Sequence, residues 1–185
     1  MRNVLYQSCL LLLALAPLAA AAQEVRTVTD GELGYVLELP SINWRAVIRP
    51  DGVHRHTTFI YGGANDALLR IRMEFVDAGI APLDLAQKDR EQELRSLPGY
   101  VENNEERFVG RMSGNVISYE YTSGGKLMAG RIYYLRADAR TIYTLQFTGM
   151  RDRLLALRGQ ADFIARSFHL NPTDSPVEVQ NRINN

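Results

Sequence analysis

The chain contains three histidines, and two of them stand on either side of a single residue. His54 and His56 flank Arg55, and residues at i and i+2 of a β-strand project to the same face. His169 lies near the end of the chain. Three imidazoles suit zinc or copper, so the pattern predicts a metal site made by His54, His56 and His169. The alternative is a polar turn with solvated rings, because the sequence has no H-x-x-x-H spacing and no cysteine beside these histidines.

Motifs for nucleophilic catalysis and for phosphate binding are absent from the sequence. It contains no G-x-S-x-G, and residues 111–114 (RMSG) are typical of a turn. No glycine-rich loop leads from a predicted strand into a predicted helix, as a phosphate site requires. Catalytic residues can be scattered along a chain, so the sequence argues against an enzyme without excluding one. No cofactor is predicted.

Three arginines are candidates for a basic surface. If their strands are neighbours, Arg70, Arg72 and Arg131 would form a stripe on one face of a sheet, able to hold an anionic partner. The alternative is that they pair with Glu74 and Glu120 across strands, an arrangement of small energetic value at a surface.

Tyrosines are concentrated in the second half of the chain. As a cluster they would make an aromatic platform for a sugar, a peptide or a pigment-like ligand. Sheet composition explains them more simply, because tyrosine favours strands and packs with its hydroxyl at the rim. The residues concerned are Tyr119, Tyr121, Tyr133, Tyr134 and Tyr143.

The first 22 residues have the order of a secretory leader. Arg2 is followed by an apolar run and then by four alanines, which predicts a signal peptide at 1–22 and a periplasmic or secreted mature chain. The alternative is a retained N-terminal anchor, but the apolar run is shorter than the roughly 20 residues of a membrane-spanning helix. No transmembrane segment is predicted in the mature chain. Cys9, the only cysteine, lies inside the leader, so no disulfide is expected.

The charge balance bears on possible partners. Lysine and arginine together number 21, as do aspartate and glutamate, so the formal net charge is zero. Binding to nucleic acid draws most of its affinity from neutralised phosphates and needs a basic surface. The composition therefore predicts no nucleic-acid partner.

Side-chain periodicity predicts an α+β fold. Hairpin loops at residues 123–126 and 137–140 imply a mainly antiparallel sheet, and residues 23–170 are predicted to form one domain with a flexible polar tail at 171–185. The predicted helices cover 82–97 and 151–168. The predicted strands are 34–39, 44–48, 57–61, 68–76, 101–109, 116–122, 127–135 and 141–148.

The sequence GYVLELP at 34–40, followed by WR at 44–45, resembles the opening of PsbP-like domains. The bacterial envelope proteins of the DcrB-like group are similar in the same way. The order of the later elements also fits, so the resemblance covers about residues 33–170. It implies an α/β/α sandwich with a central, mainly antiparallel sheet and two main helices. It implies no catalytic residue.

These patterns favour an exported, non-enzymatic binding or accessory domain of the bacterial cell envelope. Its expected partner is an envelope or secreted protein, or a small ligand. One alternative is a metal-dependent or hydrolytic periplasmic enzyme that uses the histidines. Another is a structural protein that maintains the envelope.

Overall fold

The computed structural model describes residues 24–47, 56–63 and 66–171. The predicted leader lies outside these residues, as does the predicted tail except Asn171. In chain order the elements are β1 (Arg26–Asp30), β2 (Tyr35–Leu39), β3 (Trp44–Val47), β4 (His56–Tyr61), β5 (Ala67–Phe75), α1 (Pro82–Gln92), a 3₁₀ turn (Leu94–Ser96), β6 (Val101–Val109), β7 (Ser113–Ser123), β8 (Lys126–Arg136), β9 (Thr141–Met150), α2 (Arg151–Ala156), α3 (Arg158–Ser167) and β10 (His169–Leu170).

The central layer is a seven-stranded sheet in the order β3-β4-β5-β9-β8-β7-β6, and every neighbouring pair is antiparallel. The predicted antiparallel α+β fold is therefore confirmed. The hairpin between β7 and β8 turns on Gly124 and Gly125, which have φ angles of 55° and 72°. Two adjacent positive φ angles match the twist of a two-residue hairpin, and glycine reaches them without steric cost.

Helices lie on both faces of this sheet, as an α/β/α sandwich requires. On one face, α1 places Leu85 and Ala86 against Ile117, Ile132 and other residues of β7 to β9. On the other face, α2 and α3 bury a larger apolar cluster that includes Leu154. The two clusters are separate because successive side chains of a strand project to opposite faces.

Both predicted helices differ in detail from the structure. The first ends at Gln92 and is continued by the 3₁₀ turn, which stops before Pro98-Gly99. The second is interrupted at Leu157, whose φ of −92° and ψ of 1° lie outside the helical range. Gly159, a poor helix former, follows closely. The single helix predicted at 151–168 is therefore wrong, because the structure has two helices, α2 and α3, in this range.

A small second sheet was not predicted. It has the order β1-β2-β10, and β2 packs its buried side chains on the side of α3. The backbone N–H of Glu38 in β2 donates to Ser167 Oγ of α3 at 2.9 Å. This sheet and the two helices together cover more of one face of the central sheet than α1 covers of the other, and the larger apolar cluster lies beneath them.

Candidate functional site

A groove of about 140 Å³ lies where α2 and the start of α3 cross the outer strands of the central sheet. Strand β6 forms one side, β7 and β8 form the floor, and the helices form the other side. The lining residues are Asn103, Asn104, Ser118, Tyr119, Glu120, Ala129, Gly130, Arg131, Leu154, Leu155 and Arg158.

Strand register decides which floor side chains enter the groove. Ser118 stands opposite Arg131, and Glu120 stands opposite Ala129, so all four project towards α2 and α3. Tyr119 turns its ring to the opposite face of the sheet and contributes only backbone to the groove.

The backbone at Gly130 accommodates that ring. A Cβ at position 130 would lie 2.1 Å from the Tyr119 ring. Glycine is therefore required for the Tyr119 ring to lie against the strand at this position.

Arg131 is the central charged group of the groove. Its residue is only 8% exposed, and its guanidinium donates to three acceptors. Nε donates to the Tyr133 hydroxyl at 2.7 Å, Nη1 to Ser118 Oγ at 2.7 Å, and Nη2 to Asp162 Oδ1 of α3 at 3.0 Å. The Tyr133 hydroxyl in turn donates to the same Asp162 oxygen. These contacts fix the guanidinium plane.

The protonation of this cluster follows from its contacts. Burial by itself lowers the pKa of the Arg131 guanidinium, but Tyr133 and Asp162 outweigh burial and raise that pKa. Burial also raises the pKa of Tyr133, so its hydroxyl keeps its proton. Arg131 is therefore a permanent cation. Of its five N–H donors, the contacts above use three, which leaves one on each Nη atom for a ligand.

A carboxylate lies at the opposite end of the groove. Glu120 Oε1 accepts from Arg151 Nε at 2.8 Å and from Asn103 Nδ2 at 3.2 Å. The hydrogen bond from Arg151 lowers the pKa of Glu120, so the carboxylate stays ionised. Its charge is thus held by Arg151 of α2, at the position diagonal to Arg131 in the β7–β8 pair.

The remaining wall is apolar. Leu154 is buried against the sheet, whereas Leu155 is 53% exposed at the rim. Arg158 closes the end of the groove and pairs with Glu106 of β6 at 3.7 Å. The groove therefore offers fixed hydrogen-bond donors at its floor and apolar contacts at its helical side.

The Arg131 cation beside it fixes the Ser118 hydroxyl. Ser118 is the hydroxyl of the groove, and its described partner is the Arg131 cation, which cannot accept a proton. Activation of a serine needs a general base within hydrogen-bond reach. The described contacts give Ser118 a fixed orientation without such a base.

Of the three histidines predicted to bind a metal, the structure describes His56 and His169. His54 lies outside the described residues. His56 lies opposite Arg72 in the β4–β5 pair, on the face of the sheet that carries α1, because Arg72 contacts Asp89 of α1. His169 lies in β10 of the second sheet, on the other side.

The ring of His169 already has close neighbours. Its two nitrogens lie 3.1 and 3.2 Å from Arg111 Nη1, and Nδ1 lies 2.8 Å from the carbonyl oxygen of Ser167. Within residues 24–47, 56–63 and 66–171, no group of three or more His, Cys, Asp or Glu is placed to hold a metal ion. The structure thus does not bring His56 and His169 together, and the zinc or copper site remains a prediction.

The predicted stripe of three arginines is wrong. Arg131 stands opposite Phe147, which stands opposite Leu69, so Arg131 shares the face of Leu69. Arg70 and Arg72 project to the opposite face. Glu74 does contact Arg72, at 3.5 Å, but both residues belong to β5, so this pair does not cross strands as predicted. Glu120 binds Arg151 instead.

The tyrosines are divided between the two faces and are mostly core residues. Tyr133 and Tyr143 belong to the cluster under α3, and Tyr119 and Tyr134 belong to the cluster under α1. All four are at most 1% exposed, which confirms that they are part of the sheet interior. Of the five tyrosines in the predicted cluster, Tyr121 is the one that is partly exposed.

The groove was not predicted from the sequence, although one signal was present. Arg131 occupies an inward position of β8, in step with Ala129, Tyr133 and Leu135. A charge among inward-facing apolar residues is rarely buried without partners. Its inward position in β8 thus indicates that Arg131 needs a polar partner. The sequence does not identify that partner, because Asp162 lies in α3, 31 residues further along the chain.

Several proteins of known structure have a similar fold. No protein-family model and no curated sequence matches the chain. The solution structure of cyanobacterial PsbP (CyanoP) from Synechocystis sp. PCC 6803 is similar, with a TM-score of 0.59 at 14% identity, over 82% of this chain and 95% of that chain. LpqN, involved in cell envelope biogenesis of Mycobacterium tuberculosis, gives 0.52 at 20% identity, over 80% and 91%.

The same fold occurs in the Ran-binding protein Mog1p of Saccharomyces cerevisiae, with a TM-score of 0.60 at 8% identity, over 82% of this chain and 97% of that chain. The chain therefore has the PsbP-like fold, and the predicted resemblance is confirmed at the level of the fold. One similar structure belongs to a protein of envelope biogenesis. Within the part of the chain that the structure describes, no helix has the length and apolar character needed to cross a bilayer.

Proposed function

We propose that this chain is an exported, non-enzymatic binding domain that acts as an accessory protein of the bacterial cell envelope. It works through contacts with another protein or with a small ligand. The leader pattern at 1–22 supports export to the periplasm or the medium. The fold shared with an envelope-biogenesis protein is compatible with that location.

The observation that carries the proposal is the groove around Arg131. The guanidinium is buried, permanently charged and held by three hydrogen bonds, so a ligand finds its donors already oriented. Such preorganisation reduces the entropy lost on binding. A hydrogen bond to a charged group contributes about 1.5–3 kcal/mol, which is substantial for a small ligand.

Size and lining indicate the ligand class. A cavity of about 150 Å³ holds a molecule of the size of benzene, and the groove is close to that at about 140 Å³. Arg131 and the Ser118 hydroxyl suit a carboxylate, and Leu154 and Leu155 suit a short branched or cyclic hydrocarbon. The proposed ligand is a small carboxylic acid with an apolar body.

A titration of the purified mature chain tests this proposal. Isovalerate, leucine and isopentylamine share an apolar body and differ in their charged groups. We expect isovalerate and leucine to shift the amide resonances of Ser118 and Arg131, and isopentylamine to shift them least. If Glu120 contributes through its second oxygen, leucine will bind more tightly than isovalerate, and Glu120→Gln will remove the difference.

Two variants separate groove binding from general effects. Ser118→Ala removes one polar contact and should weaken binding of isovalerate by about tenfold, equivalent to about 1.4 kcal/mol. Arg70→Ala alters an exposed residue on the opposite face and should leave binding unchanged. Absence of any shift with the carboxylates would remove the groove as a ligand site.

Export has its own test. Fractionation of the producing cells, followed by N-terminal sequencing, should recover a periplasmic or secreted chain that begins at Gln23. Recovery of the uncleaved chain in the cytoplasm would contradict the proposed location.

A further inference from the structure

Part of the α1-bearing face of the central sheet is not covered by the described helices. Of those helices, α1 alone lies on this face, and it packs against β7 and β8. Two cross-strand rows extend beyond it, across β3, β4, β5 and β9. One is Arg45–Ile60–Leu68–Thr148, and the other is Val47–Thr58–Arg70–Gln146, in which Thr58 is buried between its neighbours. We call the first row, together with Arg70 and Gln146, the open face.

The open face combines apolar side chains with unpaired charge. Ile60 and Leu68 are partly exposed and adjacent, so they form a small apolar centre. Arg45 and Arg70 are exposed on either side of it. Arg45 donates to the carbonyl oxygen of Gly62, and neither arginine has an acidic partner among the described residues.

The acids of these strands are already engaged. Glu74 is the only Asp or Glu in β3, β4, β5 and β9, and it contacts Arg72, not Arg70. Asp66, just before β5, contacts Arg153 of α2 at 4.0 Å. The open face therefore has a net positive charge that the described residues do not neutralise, and it is complementary to acidic side chains.

α1 indicates what kind of element fits such a face. It places Leu85 and Ala86 on the sheet and directs Asp89 towards Arg72, at 3.7 Å. Apolar residues thus meet the strands while an acid meets an arginine of β5. The open face repeats this combination next to α1, with Ile60 and Leu68 as the apolar part and Arg70 as the cation.

The available width matches one helix. Strands are about 4.8 Å apart, so the line between β4 and β5 lies about 14 Å from the line between β8 and β7. Helices packed side by side need only 8–10 Å between their axes. A second helix therefore fits on β4 and β5 beside α1 without a clash.

We propose that the open face is the docking surface for an acidic amphipathic helix of a partner protein. Its apolar stripe would cover Ile60 and Leu68, and its carboxylates would pair with Arg45 and Arg70. This inference rests on the proposed role as a binding domain, but not on the groove, which lies on the other face of the sheet.

Photo-crosslinking in the cells that produce the protein tests the docking surface. Benzoylphenylalanine is introduced at Thr148, inside the open face, and at Thr27 of β1 as an exposed control on the other side. We expect the Thr148 probe to give one cross-linked protein. Mass spectrometry should map the cross-link to an acidic helical segment of that protein, and the Thr27 probe should not give this product.

Charge reversal then tests the proposed pairing. Arg70→Glu should reduce the cross-linked yield by about tenfold, Arg70→Lys should retain most of it, and lysines in place of the partner's acids should restore it with Arg70→Glu. Arg70 is exposed and has no described ion pair, so the melting temperature of both variants should stay unchanged.

Other outcomes overturn the inference. These are cross-links to residues 48–55 or 172–185 of the same chain, to a second copy or to lipid, and the lack of any product at Thr148. An unchanged yield with Arg70→Glu also overturns it. Ser118→Ala, which alters the groove, should not affect the cross-link. A failed ligand titration with an intact cross-link would therefore count against the groove alone.

Discussion

The two faces of the central sheet differ in how completely they are covered. One face lies under α2, α3 and the small second sheet and holds the larger apolar cluster together with the groove. The other lies partly under α1, with a smaller cluster. The covered face can hold charged groups such as Arg131 rigidly, because helices supply their partners. The partly covered face keeps exposed cations beside apolar side chains, which suits a partner.

The largest effect should come from truncating the core on each face in turn. Leu145 and Ile142 both lie in β9, are fully buried and project to opposite faces. Leu145→Ala should cost about 4 kcal/mol of unfolding free energy and Ile142→Ala about 2–3 kcal/mol, because a partly covered face can relax more into the cavity. Urea denaturation measures both. Equal or reversed costs would remove the energetic difference between the faces.

A smaller effect is expected at the position that joins the two faces. Gly130→Ala would displace the Tyr119 ring from the α1 side, because the new methyl group would lie 2.1 Å from it. We expect a loss of about 1–3 kcal/mol, as for other overpacked sites. Gly159→Ala is the matched control, since a Cβ there meets no atom within 4 Å. A loss of stability confined to Gly159→Ala would contradict the described register.

The smallest expected effect is a dependence of the free energy of unfolding on pH, caused by Asp89 of α1. Burial raises the pKa of the Asp89 carboxyl above its ordinary value of 3.8, although Arg72 and the Tyr134 hydroxyl oppose it. The folded chain therefore binds this proton more tightly than the unfolded chain. The stability it contributes is fully present below the unfolded pKa and is lost as the pH rises through the folded pKa.

Asp89→Asn tests that direction. In urea titrations at a series of pH values, the native chain should lose stability relative to the variant as the pH rises above about 4. Identical pH profiles for the two chains would show that Asp89 does not titrate as its burial implies.

The sequence predicted most of the central sheet because its strands alternate clearly. Leu69 and Ile71 of β5 are buried and Arg70 is exposed, as the period of two requires. β1 was missed because its five residues are not buried and carry little alternation, and β10 because it has only two residues. Short edge strands depend on tertiary pairing, which local sequence does not encode.

The groove was beyond prediction for a different reason. It depends on strand order, which brings Ser118 opposite Arg131, and on α3, which brings Asp162 to the same guanidinium. The same lack of register led to the incorrect stripe of Arg70, Arg72 and Arg131. Residue types indicate possible chemistry, whereas the face on which a side chain lies is set by pairing across strands.

Methyl NMR in the presence of a soluble paramagnetic agent tests the two-face account most directly. β4 and β5 carry Ile60 and Leu68 on the open face, and β5 carries Leu69 and Ile71 on the covered face. We expect strong relaxation enhancement for the methyl groups of Ile60 and Leu68 and little for those of Leu69 and Ile71. Equal protection of all four residues in the isolated mature chain would contradict it.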